Sequence, residues 1–470
     1  MKKFLGVLLC LPLTACTVGP DYERPSFDGP ETYREAYPAG ESIVNLPWWE
    51  LFEDPVLKDL IERSLVSNRD LRAAVARIDE AAAVLGIVRA DLYPRVYYGG
   101  DGSFSATSTG DGSTSTEGSL FLNAGWQVDL WGRFRRSNEA ALQELLATEE
   151  SYRGVTISLV ASVASSYLLL RDLDNRLRIS EQTVEIRQKN YDIILARFDG
   201  GSVTQIDLNQ ALIQLTEAEA SVQSFKRLIR QTENAISLLL GEPPTDIARG
   251  LSLSEQLDAP DIPTGLPSEL LDRRPDILVA ERQLHAQTSR IGVAEALKYP
   301  QFDLTSSLGA SFADLSTSFF NLGAQIIGPL FNSGENQRQV DAEVARTTQL
   351  LNRYEQTVLN AYREVEDALI AVQTYQDELN ARQRQVAAAE EAAELSWIRY
   401  EDGITSYLEI LETQRALFGS QLAASETLQL RLNAVVDLYE ALGGGWQVEE
   451  TATSPADSLP STSGGGDGDG

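Results

Sequence analysis

Cysteine, histidine and methionine are nearly missing from this chain of 470 residues, which holds two, one and one of them. Both cysteines, Cys10 and Cys16, stand at the very start, so no disulfide framework and no thiol chemistry can be built further along. The lone histidine, His285, lies in a helical stretch and reads as a packing or surface residue. No GxxxxGK[ST] phosphate loop occurs. These absences leave no catalytic constellation and no set of metal ligands, and they exclude the common enzyme classes. Positive charge is also scarce: 39 Lys and Arg face 69 Asp and Glu, a formal net charge of −30. Nucleic acid is thereby excluded as a partner, because its phosphates need a cationic surface. The charge suits a lumen friendly to cations or a saline exterior. Long apolar runs are missing too. After Ala15 no stretch approaches the roughly 18 consecutive apolar residues of a membrane-spanning helix. If the chain crosses a membrane it must do so as a β-barrel, the other structure that satisfies its own backbone in lipid.

The first residues predict an export signal. Lys2 and Lys3 supply positive charge, Phe4 to Leu13 form a short apolar run, and small residues follow. Leu13-Thr14-Ala15-Cys16 resembles the bacterial lipobox, which makes Cys16 the first mature residue and the carrier of a covalent diacylglycerol and an acyl chain. No other cofactor is expected. Thr17 stands where an aspartate would favour inner-membrane retention, so delivery to the outer membrane is expected.

The remaining chain repeats itself. Ala90-Asp91-Leu92-Tyr93-Pro94 recurs as Ala296-Leu297-Lys298-Tyr299-Pro300. Asn68-Arg69-Asp70-Leu71 recurs as Arg274-Pro275-Asp276-Ile277, Arg197-Phe198 before Gly201 as Arg399-Tyr400 before Gly403, and Leu240-Gly241 as Leu442-Gly443. The interval is about 200 residues throughout, the mark of a tandem duplication. Each half reads helix, two strands, long helix, helix. In the second long helix Val340, Val344, Thr347, Leu351, Tyr354, Val358, Ala361, Val365, Ala368, Val372, Tyr375 and Leu379 alternate spacings of four and three. That is a heptad seam. The first long helix carries the same seam through Leu142, Leu145, Tyr152, Leu159, Val163, Leu170, Leu173 and Leu177. From about Arg133 to Phe198 it would run roughly 100 Å, too long for a globular core.

The strands alternate with a period of two. Leu120, Leu122, Ala124, Trp126 and Val128 share one face, and Phe121, Asn123, Gly125 and Gln127 the other. Val96, Tyr98, Phe104 and Ala106 form the matching apolar side of the preceding strand. Phe302, Leu304, Leu308, Ala310 and Phe312, then Phe320, Leu322, Ala324 and Ile326, repeat the pattern in the second half. Segments of roughly 10 residues with one polar face are the signature of outer-membrane barrel strands. Four strands cannot close a barrel, for which about eight is the practical minimum, so the chain must oligomerise.

The expected division is a signal at 1–15, a lipidated extension at 16–54, and a first repeat at 55–241 with strands near 95–130. A proline-rich linker follows at 242–268, then a second repeat at 269–445 with strands near 301–330, and a disordered acidic tail at 446–470.

The motifs in sequence resemble the TolC-type outer-membrane efflux proteins, in their NodT-like lipoprotein branch. They are Gly19-Pro20-Asp21-Tyr22-Glu23-Arg24-Pro25, Pro47-Trp48-Trp49, Tyr93-Pro94, Asp129-Leu130-Trp131-Gly132, Arg273-Arg274-Pro275-Asp276-Ile277, Tyr299-Pro300, Gln414-Arg415 and Leu442-Gly443-Gly444-Gly445-Trp446. The resemblance implies a mainly α fold with a transmembrane β-barrel. Long coiled-coil helices would form an α-barrel tunnel, and a homotrimer would pool its strands into a 12-stranded barrel. It also implies a passive duct in outer-membrane lipid, served by a periplasmic adaptor and an inner-membrane resistance–nodulation–division transporter. Protein secretion, or export of a dedicated metabolite or metal, remains the alternative cargo.

The duct would open by an iris-like movement of its helix-to-helix turns, Arg197 to Asp207 and Arg399 to Glu412. Gly201 and Gly403 permit the reversals. Asp207, Glu409 and Glu412 would each form a ring of carboxylates in a three-fold assembly, concentrating cations. By resemblance Glu412 takes the constriction's acidic position, Leu408 an apolar plug and Arg415 the next turn. Tyr400, Arg197 and Arg399 are candidates for the bonds that hold the iris shut.

Overall fold

The computed structural model describes residues 17–27, 29–30, 32–34, 52–106, 114–256, 270–311 and 317–444. Cys16, the signal, Pro47-Trp48-Trp49, the first hairpin loop, much of the linker, Trp446 and the acidic tail lie outside them. The order is α1 (Pro55–Ser67), α2 (Arg69–Ala90), β1 (Arg95–Ala106), β2 (Thr114–Val128), α3 (Arg133–Asp199) and α4 (Gln205–Leu239). It then repeats as α5 (Leu270–Arg273), α6 (Pro275–Ala296), β3 (Gln301–Ser311), β4 (Ser318–Ile327), α7 (Glu335–Glu401) and α8 (Tyr407–Ala441). The duplication is metrically tight. α2 and α6 both have 22 residues, α3 and α7 both 67, and α4 and α8 both 35. At 1.5 Å per residue α3 and α7 are each about 100 Å long.

All four strands join one antiparallel sheet in chain order, so β2 pairs with β3 and welds the two halves. The register sets Tyr98, Leu122, Leu308 and Phe320 side by side across the sheet. These four are 50–91% exposed, which makes their face an outward apolar surface rather than a core. The next row, Tyr97, Asn123, Ser307 and Asn321, faces the other way, and Asn321 Nδ2 donates to Ser307 Oγ at 3.2 Å. Among the described residues β1 and β4 each keep one unpaired edge. One helix among the described residues, α3, has an 18-residue window apolar enough to cross a membrane, yet 56% of that window is buried inside the chain. The seams of α3 and α7 turn inward as expected, except that Leu142 of α3 and Val344 of α7 stand exposed.

The core gathers at mid-height, where α1, the middle of α3 and the ends of α4 and α8 meet α7. Leu60, Val163, Tyr167, Ile236, Val365 and Tyr439 are buried together there. Its polar centre is Asp54, the N-cap of α1, which accepts from the backbone of Val56 and Leu57. Asp54 Oδ2 also takes the Tyr167 hydroxyl at 2.9 Å, the Leu251 N–H at 3.1 Å and Gln256 Nε2 at 2.8 Å. One carboxylate thus ties α1 and α3 to the connector between the halves. Arg274 does similar work beside it. It donates to the Ala441 carbonyl at the end of α8 (2.7 Å) and pairs with Asp276 (2.8 Å) and Glu364 (2.7 Å).

The segment after Cys16 is a strap. The Val18 N–H donates to the Trp131 carbonyl at 3.1 Å, and Asp21 pairs with the buried Arg136 at 2.5 Å. Tyr22 stacks on His285 at 4.3 Å, and His285 in turn meets Glu139 at 3.0 Å. Arg24 reaches Asp272 (2.6 Å) and Glu281 (3.1 Å). Gly19 adopts φ +93° and presses on Gly292, whose Cα a side chain there would strike. The strap therefore needs glycine on both sides.

Two measurements probe these supports. Asp54→Ala strands several buried donors at about 1–3 kcal/mol each, and should lower the thermal unfolding midpoint measured by circular dichroism by several degrees. Gly292→Val should unseat residues 17–24 and speed protease nicking there while the sheet stays intact; an unaltered nicking rate would contradict this seating.

Candidate functional site

The far ends of the long helices carry the predicted site. In the α3–α4 turn the Ser202 N–H returns to the Arg197 carbonyl at 2.9 Å, and in the α7–α8 turn the Ile404 N–H returns to Arg399 at 2.8 Å. Gly201 and Gly403 sit at the summits with φ of +74° and +73°. Open space surrounds both positions, so backbone conformation, not crowding, requires glycine there.

The two turns then diverge. Thr204 and Asp207 form a capping box at the start of α4. Asp207 Oδ2 accepts the Thr204 N–H (2.9 Å) and hydroxyl (2.8 Å), and the Asp207 N–H returns to Thr204 Oγ1 (3.3 Å). Asp207 is thus engaged within its own helix end. Glu409, at the matching position of α8, reaches outward instead. It pairs with Arg399 Nε at 3.1 Å across the turn and accepts from the Thr405 hydroxyl. The Thr-x-x-Asp signal for the first arrangement was present in the sequence. Ser406-x-x-Glu409 carries the same signal, yet Ser406 makes no side-chain cap at the start of α8.

The turns are joined by apolar and aromatic packing. Ile194, Leu208 and Ala211 of the first hairpin bury against Tyr400, Tyr407, Ile410 and Leu411 of the second. The rings of Tyr400 and Tyr407 lie 5.7 Å apart, and the Arg197 guanidinium covers the Tyr400 ring at 4.8 Å. The expected Tyr400 hydrogen bond is replaced by this cation–π contact, for its buried hydroxyl has no hydrogen-bond partner among the described residues. Burial, with Tyr400 nearby, pushes the Tyr407 hydroxyl up to about 12, so it stays protonated in any physiological medium.

Leu408, Glu412 and Arg415 behave differently. Their spacing of four and three puts them on one face of α8, flanking the buried side that carries Tyr407 and Leu411, and all three are exposed. Among the described residues neither Glu412 nor Arg415 enters an ion pair. The structure therefore sorts the predicted residues into two sets. Arg197, Tyr400, Arg399 and Glu409 make contacts that hold the tip. Leu408, Glu412 and Arg415 present a free stripe.

One residue escaped sequence reasoning. Arg187 of α3 is 2% exposed, donates to the Gln214 carbonyl of α4 at 2.5 Å and lies 5.0 Å from the Phe418 ring of α8. A single arginine in a helix otherwise rich in charge gives no signal of burial.

Comparison with known proteins agrees with this architecture. Residues 60–242 and 266–444 match the family model for outer membrane efflux protein. The chain is 35% identical over 455 residues to the cation efflux system protein CusC of Escherichia coli O6:H1, covering 95% of this chain and 99% of that protein. It is 34% identical over 464 residues to the toluene efflux pump outer membrane protein TtgC of Pseudomonas putida, covering 93% and 96%. The open state of the Neisseria gonorrhoeae MtrE outer membrane channel superposes with a TM-score of 0.85 at 29% identity, over 93% of this chain and 100% of that one. With its duplicated hairpins, its outward apolar sheet face and these matches along nearly its whole length, the chain belongs to the outer membrane efflux protein family.

Proposed function

We propose that this chain is the outer-membrane channel of a tripartite efflux pump, passively conducting small molecules from an inner-membrane transporter and a periplasmic adaptor to the exterior. The observation that carries this reading is the four-stranded sheet, which has one mostly apolar face and, among the described residues, two unpaired edges, continued by helices of 67 residues. Lipid would cover the apolar face, and neighbouring copies would pair the edges. Three copies supply 12 strands, within the range of closed outer-membrane barrels. The lipid on Cys16 would hold the strap's origin at the periplasmic rim. Thr17 supports this placement, since it lies against Gly132 at the junction of sheet and α3.

In a three-fold assembly the free stripe on α8 would face the axis, with Leu408, Glu412 and Arg415 as stacked rings. Glu412 carboxylates crowded there would attract cations and resist anions. Asp207 is already spent on capping α4, so its role is structural support for the turn, and Glu409 serves with Arg399 as a brace. The alternative cargo, a secreted protein or a dedicated metabolite or metal, uses the same duct. The relatives' names divide between cations and toluene, and they leave the cargo of this chain to experiment.

Three outcomes are expected. Cells lacking the gene should retain more of a fluorescent drug-like dye than cells with the gene restored; equal retention would favour the alternative cargo. In planar bilayers Glu412→Ala should raise trimer conductance and weaken cation preference, whereas unchanged values would remove Glu412 from the constriction. Asp207→Ala should cost about 1 kcal/mol of stability and leave cation preference intact.

A further inference from the structure

Arg187 holds a position that the efflux reading does not explain. Its side chain is 2% exposed and stands between the two hairpins, on α3, with α4 on one side and α8 on the other. One nitrogen, Nη1, donates to the Gln214 carbonyl at 2.5 Å. The same nitrogen is 3.6 Å from Glu217 Oε2, beyond hydrogen-bond length, and that carboxylate is half exposed. Among the described residues Nε and Nη2, both buried, have no hydrogen-bond partner, and neither do the buried Asn190 Nδ2 of α3 and Gln214 Oε1 of α4.

The charged and titratable groups facing this guanidinium are Glu217 from α4, and Arg415 and Tyr407 from α8. Burial pulls its pKa below the ordinary arginine value; Glu217 opposes the shift, and the like charge of Arg415 adds to it. The favourable contact toward α8 is the Phe418 ring at 5.0 Å. Two desolvated donors of a cation outweigh one ring contact, because charged groups carry the largest penalty for an unmade hydrogen bond. The packed arrangement of α8 against α3 and α4 therefore contains a local deficit. Moving α8 away would admit water to Nε and Nη2, let Glu217 close on the guanidinium and relieve the repulsion from Arg415.

We infer that Arg187 is a positioning residue for the gate, an under-satisfied buried cation that biases α8 toward leaving the outer hairpin. This rests on the reading of α8 as the element whose Leu408, Glu412 and Arg415 line the constriction. Arg197 over Tyr400, about 15 Å nearer the tip, holds the hairpins together. Arg187 works against it, so the resting position of α8 reflects the balance of two arginines on the same helix.

The test uses the full-length lipidated protein, purified as its native assembly and recorded in planar bilayers. Arg187→Met keeps length and packing under Phe418 but removes the charge and the unmatched donors. The ratio of open to closed dwell time should fall about tenfold, a modest shift for a two-state element, while heat resistance is maintained or increased. Phe418→Leu removes the opposing ring and should raise the same ratio. An Arg187→Met assembly of normal heat resistance with an unchanged or raised ratio would overturn the inference, as would an unchanged or lowered ratio for Phe418→Leu. Glu412→Ala serves as the control. If it alters cation preference while the other two variants leave the ratio unchanged, the constriction stands and Arg187 is merely a packing residue. If none of the three has any effect, the constriction on α8 is itself misplaced.

Discussion

Every backbone N–H and C=O in hydrocarbon must find a partner, and this chain leaves two strand edges without one. That requirement governs the remaining design. A sheet of four strands with an outward apolar face is insoluble alone and incomplete in lipid, so it must be continued by other copies. Because β2 pairs with β3, the two halves of each chain enter that wall as one piece. Each strand hands its position to a helix, and the helices inherit the curvature that the sheet closure imposes. The duplication makes this workable, since both hairpins deliver helices of the same length to the same level.

Packing strength is graded along the axis. At mid-height the core is continuous, and a single carboxylate, Asp54, gathers backbone, phenol and amide donors from segments far apart in sequence. At the tip a small apolar cluster and a few aromatic contacts join the hairpins. Local opening free energies follow local burial, so the tip is the place where a small change in contacts can shift a population without disturbing the wall above it.

Much of this was legible in the sequence. The heptad seams named the residues that turn inward, apart from Leu142 and Val344, which stand exposed although Val340, nearer the sheet, is buried against Ile291 and Ala294. The period-two strands named the lipid-facing side, and the repeat placed both tip glycines. What stayed hidden depends on single long-range meetings. The Gly19-to-Pro25 motif was visible, yet its docking on Arg136, His285 and Glu281 needs α3 and α6 already assembled. Glu409 and Asp207 occupy equivalent positions behind the N-cap residues Ser406 and Thr204, but Asp207 folds back on its cap while Glu409, one methylene longer, reaches Arg399. Arg187 lies in a polar stretch whose periodicity carries no hint that a guanidinium has been enclosed.

The matched lengths of α3 with α7 and of α4 with α8 carry an evolutionary consequence. Inserting one residue into either long helix would lower that turn by about 1.5 Å and swing it by about 100°, uncoupling it from its counterpart. Length can therefore change only in concert, in both repeats and by nearly whole heptads. The depth of the compartment such a duct crosses is in this sense written twice in one gene, and each copy proofreads the other.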